Sequence, residues 1–153
     1  MKNLYSYILD FIDSRIELQS YSSLEMCGTM KHNALMINAY TIDSPDKANS
    51  ADARLDTMLE EAALSYESII RMKSLVWLRK RVMTILEEES TYSDVMNFII
   101  GTRSHITSMR ECDLHSTFAG RKFDCALDFV EKLSEHIAKK MDSKEDEEYC
   151  NEE

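Results

Sequence analysis

The stretch Phe123–Met141 reads FDCALDFVEKLSEHIAKKM, and its periodicity decides the fold class. Phe123, Ala126, Leu127, Val130, Leu133, Ile137 and Met141 recur at three- and four-residue steps, which at about 100° per residue gathers them on one stripe. Asp124, Asp128, Glu131 and Lys132 fall on the opposite side. A helix patterned this way buries one face and wets the other. The same period extends outward through the chain. Leu4, Tyr5, Ile8, Phe11, Ile12 and Ile16 predict a first helix to about Leu18, after which Ser22 or Ser23 offers a cap for a second. In that second helix Leu24, Cys27, Met30, Ala34 and Ile37 are expected to face inward, with Gly28 inside the pattern.

Thr41–Asn49 (TIDSPDKAN) is the clearest loop and holds the single proline, Pro45. From Ala51 to Glu89 no glycine or proline intervenes, and Leu55, Leu59, Ala62, Tyr66, Ile69, Met72, Val76 and Val82 keep a helical period as an expected inner stripe. One long helix or two with a kink near Lys73–Ser74 would satisfy it. Ser93 can cap a further helix carrying Val95, Phe98, Ile99, Ile106 and Met109, and Ala119-Gly120 is expected to break the chain before the last.

Composition agrees with this pattern. Three glycines and one proline cannot supply the turns of a sandwich or barrel. The expectation is therefore an all-α protein, a single bundle of five or six helices over residues 1–141, with a disordered acidic tail over 142–153. That tail holds seven acids and one lysine, and so carries −6 of the chain's −10 net charge with little apolar surface to order it.

An acidic chain argues against binding duplex DNA through a broad phosphate-contacting face. It admits a basic protein partner, or RNA at a local patch. The only basic cluster is Arg71, Lys73, Arg79, Lys80 and Arg81, placed to guide a nucleic-acid strand. Cys27, Cys112, Cys125 and Cys150 show no Cys-x-x-Cys spacing, which points to free thiols in a reducing, cytoplasmic setting. No apolar run approaches a membrane span, and the acids Asp10 and Asp13 interrupt the N-terminal pattern in a way a signal peptide would not. The glycines are isolated, so no phosphate loop exists, and the charge runs read as solvated helix faces rather than catalytic carboxylate pairs. His105, Cys112 and His115 lack a second ligand pair at a metal-binding spacing, so no metal and no cofactor are expected.

Arg110 and His115, with four residues between them, precede the strongly amphipathic terminal helix. From Met109 to about Lys140 this arrangement resembles the HEPN superfamily, helical bundles whose Arg-x(4–6)-His motif cuts RNA without metal. The resemblance implies a metal-independent endoribonuclease, or a degenerate non-catalytic relative, in a toxin–antitoxin or phage-defence setting. It implies that Arg110 holds the scissile phosphate, that His115 transfers the proton, and that the pair meets its counterpart across a homodimer. The chemistry is coherent, because RNA brings its own 2′-OH nucleophile and needs only a proton carrier and a cation. The chain departs from the family pattern in carrying Glu111 after the arginine, with Asp113 nearby, and Thr117 two positions past the histidine. Carboxylates beside Arg110 compete with phosphate for it.

Two further readings stand beside this one. Arg110 and His115 also suit a surface arginine and a helix-end histidine with no shared task. An acidic, glycine-poor helical protein also suits an inhibitor, immunity protein or antitoxin that neutralises a basic partner by charge complementarity. Trp77, Tyr5, Tyr7 and Tyr21 are its candidate anchors.

Overall fold

The computed structural model describes residues 3–39, 43–112 and 117–149, with side chains described outside 111–120 and 143–149. Among the described residues there are four helices and no strand: α1 (Leu4–Ala39), α2 (Pro45–Ile85), α3 (Tyr92–Cys112) and α4 (Thr117–Tyr149). The all-α class is as the periodicity predicts. The expected five or six helices become four because the two expected before the Thr41–Asn49 loop are one helix and the long central one is not divided, while the boundary before the last helix falls ahead of Ala119-Gly120, α3 ending at Cys112 and α4 starting at Thr117. Ser22 and Ser23 lie inside α1, Lys73 and Ser74 inside α2, and Ala119 and Gly120 in the opening turns of α4. Serine is only a moderately poor helix former, and with no proline nearby the backbone ladder continues through it. The acidic segment, expected to be disordered, carries α4 on to Tyr149, since Glu and Lys are good helix formers. Residues 150–153 lie outside the described residues.

The helix starts follow local chemistry. Asn3 caps α1, its Oδ1 accepting from Ser6 N–H at 2.8 Å. Ser44 caps α2, its Oγ accepting from Lys47 N–H at 3.4 Å. Helix α2 therefore begins inside the expected loop, with Pro45 at the first helical position, where a missing N–H costs nothing and the fixed φ suits the helix. Thr91, rather than Ser93, opens α3. Thr91 N–H donates to Asp94 Oδ2 at 2.8 Å while Asp94 N–H donates to Thr91 Oγ1 at 3.3 Å, a reciprocal cap of two orphan donors.

The chain forms two compact units, one of Met1–Arg15 and Lys73–Glu153, the other of Ile16–Met72. The first holds a conventional apolar core. Ile8, Phe11 and Ile12 come from α1, and Leu75, Leu78 and Val82 from α2. From α3 come Val95, Phe98, Ile99 and Ile106. Helix α4, which packs closely on α3, buries Phe123, Ala126, Phe129, Val130, Leu133 and Ile137. Two buried hydroxyls are satisfied within it. Ser74 Oγ donates to the Lys122 carbonyl at 2.9 Å, and Thr102 Oγ1 accepts from Arg81 Nε at 3.0 Å.

The Ile16–Met72 unit is built differently. Its buried positions are Asn33, Ala51, Ser65, Ser68 and Ile70, a set dominated by polar and small side chains. Arg54 Nη1 donates to Asn33 Oδ1 at 3.0 Å, and Ser68 Oγ to Gln19 Oε1 at 2.8 Å, so the two arms of this helical hairpin are joined through polar groups. Its large apolar side chains point to solvent. Leu18, Tyr21, Leu24 and Leu35 on α1, and Leu55, Leu59, Leu64, Tyr66 and Ile69 on α2, are 47–70% exposed. This corrects the expected inner stripes. Leu24, Cys27, Ala34, Leu55, Leu59, Ala62, Tyr66 and Ile69 have the predicted helical period, but the face they share is the outer one.

Candidate functional site

Arg110 closes α3, where a cation is favoured by the carbonyl end of the helix dipole. Its Nη2 lies 3.2 Å from Oδ1 of Asp124 on α4, and both side chains are about half exposed. A carboxylate that competes with phosphate for this guanidinium is thus present in Asp124, a residue outside the motif. An ion pair this open to water contributes little to stability and is readily exchanged. His115 and Asp113 lie outside the described residues, as do the side chains of Glu111 and Thr117.

The basic cluster does not converge on one groove. Arg79 is committed to Asp13 by two hydrogen bonds, Nε to Oδ1 at 2.7 Å and Nη2 to Oδ2 at 3.2 Å, and that bonding raises its pKa further. Arg71 pairs with Glu67 one turn back at 3.5 Å. Arg81 donates to Thr102 and sets its guanidinium over the Trp77 ring, 5.8 Å from the centroid. Lys73 also has a partner. Lys80 joins Trp77, Arg81, Thr84 and Ile85 around a cavity of about 230 Å³. Trp77 lies parallel to His105, their ring centroids 6.2 Å apart. A larger cleft of about 460 Å³ at the α2–α3 turn contains Arg81 but is edged by Glu87, Glu89 and Asp94, which disfavours an anion there. Among the described residues no three His, Cys, Asp or Glu side chains gather as a metal would require.

Comparisons with protein-family models, curated proteins and solved structures return no match. Function therefore rests on the residues themselves, and two features escape motif reading. One is an aromatic–cation cluster in the Met1–Arg15 and Lys73–Glu153 unit. His136 stacks on Tyr7 with centroids 4.7 Å apart and planes within 3°, and it also approaches Phe11 at 4.7 Å. Lys140 Nζ sits 3.7 Å from the Tyr7 centroid, and the Arg15 guanidinium 4.0 Å from that of Phe11. Burial, then the charges of Arg15, Lys139 and Lys140, push the His136 imidazole below its ordinary pKa. The signal in the sequence is Tyr7, Phe11 and Arg15 at four-residue steps, with His136 and Lys140 at the same step. These groups partner one another, and the cluster ties the first helix to the last.

The second feature is the outer face of the Ile16–Met72 unit. Among the described residues of that unit, exposed leucines and tyrosines outnumber buried ones, the reverse of a finished hairpin. Contiguous apolar surface rimmed by charge marks an interaction site. Among the described residues no helix is long and apolar enough to cross a membrane.

Proposed function

We propose that the protein acts by binding, as an acidic helical inhibitor or immunity-type protein that docks a basic helix of a protein partner, such as a nuclease toxin, on the outer face of α1. One observation carries this reading. Leu18, Tyr21, Leu24 and Leu35 stand 60–67% exposed on a unit that contains nine acids against four bases. Apolar anchors supply affinity there, and the unit's excess of carboxylates selects a partner of opposite charge and speeds its approach. A fluorescent lysine-rich peptide with leucines at helical spacing serves as the probe, followed by anisotropy. Binding is expected to weaken at least about tenfold in Tyr21→Asp and Leu24→Asp, and to weaken as salt is added. A glutamate-rich peptide with the same leucines should not bind. Equal binding of both peptides, or indifference to both substitutions, overturns the reading.

The second reading is the HEPN-like one, RNA cleavage by Arg110 and His115. What supports it is the exposure of Arg110 and the exchangeable nature of its pair with Asp124. Cleavage of an RNA pool in the presence of EDTA is then expected, abolished in Arg110→Ala and His115→Ala and raised in Asp124→Asn, which frees the guanidinium for phosphate. Absence of cleavage, or cleavage untouched by all three substitutions, removes this reading and leaves the binding one standing.

A further inference from the structure

From Arg71 to Ile85 helix α2 reads RMKSLVWLRKRVMTI, with five bases, no acid and the chain's single tryptophan, Trp77. Three of those bases are committed within the chain: Arg79 to Asp13, Arg71 to Glu67, and Lys73 to a partner of its own. The other two, Lys80 and Arg81, line the cavity of about 230 Å³ together with Trp77, Thr84 and Ile85. These five residues are three, one, three and one positions apart, which places them on one side of α2, within the unit of Met1–Arg15 and Lys73–Glu153. Lys80 is exposed and has no ion partner among the described residues. Arg81 is half-buried and held: its Nε donates to Oγ1 of the buried Thr102 at 3.0 Å. Its Nη1 and Nη2 keep no hydrogen-bond partner among the described residues. Trp77 is also half-buried, parallel to His105 with ring centroids 6.2 Å apart.

A cavity that joins an aromatic ring and an aliphatic wall to a few fixed polar groups is the ordinary form of a small-molecule site. Both charged groups in this one are cations, so the ligand is an anion with an apolar body. We propose that the cavity binds a small aromatic carboxylate, its carboxylate on the Nη groups of Arg81 and the ammonium of Lys80, its ring against Trp77 and Ile85. Three observations select that class. The guanidinium fork matches a carboxylate in two parallel hydrogen bonds, and the bond to Thr102 fixes the fork before the ligand arrives, so little freedom is lost on binding. The volume is below the range of drug-sized pockets and suits one or two fused rings rather than a nucleotide. The adjoining cleft, which shares Arg81 and Ile85, carries Glu87, Glu89 and Asp94. Their charge opposes a phosphate dianion more strongly than a monoanion. The cavity shares no residue with the outer face of α1 or with Arg110.

Because Trp77 is the only tryptophan, its fluorescence in the full chain reports on this site alone. Benzoate serves as the probe, beside benzamide (the ring without the charge), acetate (the charge without the ring) and adenosine monophosphate. Benzoate is expected to change the emission saturably, with benzamide and acetate each needing at least about tenfold higher concentration for the same change. Adenosine monophosphate should be weaker than benzoate. Lys80→Gln removes an exposed charge and should leave the fold and its thermal unfolding as they are, while weakening benzoate at least about threefold. Arg81→Lys keeps the charge but loses the fork, and should weaken benzoate at least about tenfold. No saturable change with benzoate, equal action of benzoate and benzamide, or indifference to Lys80→Gln overturns the proposal. A response to adenosine monophosphate with benzoate inert overturns it as well, and returns Lys80 and Arg81 to the RNA reading.

Discussion

Replacing Leu133 by alanine is expected to cost about 3 kcal/mol of stability. With a urea m-value of about 2 kcal/mol/M, the unfolding midpoint should fall by roughly 1.5 M. Leu133 is fully buried on α4 in the unit where all four helices contribute apolar side chains. Removing three carbons there forfeits their transfer free energy and leaves a cavity that the close packing of α3 on α4 can only partly collapse. The informative control is Leu59→Ala, the same change at a side chain 70% exposed. Its effect should stay within about 0.5 kcal/mol. The same residue type with the same helical period thus gives two very different costs. A large loss at Leu59 would mean that its side chain is packed rather than exposed.

That contrast marks where sequence periodicity stops being informative. On α4 the apolar stripe and the buried stripe coincide, so Phe123, Ala126, Val130, Leu133 and Ile137 are legible before any coordinates. On α2 the period is equally clean, yet Leu55, Leu59, Tyr66 and Ile69 face water. A helical repeat reports that residues share a face. It does not report whether the face meets another part of the same chain or a second molecule, and the polar inner contacts Arg54–Asn33 and Ser68–Gln19 give no repeat that would reveal them. Boundaries mislead for a related reason. Ser22, Ser74 and Gly120 are residues a helix tolerates at a cost of tenths to one kcal/mol per site, roughly, which long neighbouring segments offset. Pro45 reads as a loop residue by type, whereas Ser44 ahead of it makes it a helix start.

The candidate site is legible in position and not in pairing. Spacing brings Arg110 to the end of α3, ahead of the terminal helix, and that is where it lies. Its ion partner, Asp124, belongs to no motif. It reaches Arg110 because it is exposed near the start of the next helix. In the same way Asp13 claims Arg79 from a different helix altogether, so a cluster that looks free in sequence is largely committed in space.

The two described glycines support the converse prediction, a gain. Gly28 and Gly101 lie inside α1 and α3, neither has a positive φ, and a Cβ built on either meets nothing within 4 Å. Alanine at each should therefore stabilise its helix by about 0.5–1 kcal/mol, through a smaller loss of backbone entropy on folding. The sites belong to separate units and share no neighbour within that radius, so Gly28→Ala with Gly101→Ala should raise stability by roughly 1.5 kcal/mol, near the sum of the single effects. Urea midpoints with an unchanged m-value measure it. A loss at either position would place an atom where the structure has open space. The binding assay then gives Gly28 a second meaning. It falls between Leu24 and Leu35 on the arm proposed to receive a basic helix, where a missing Cβ lets two backbones approach closely. If Gly28→Ala stabilises the free protein yet weakens peptide binding while Gly101→Ala does not, the glycine serves the interface, and the helix gives up stability of its own to keep that surface open.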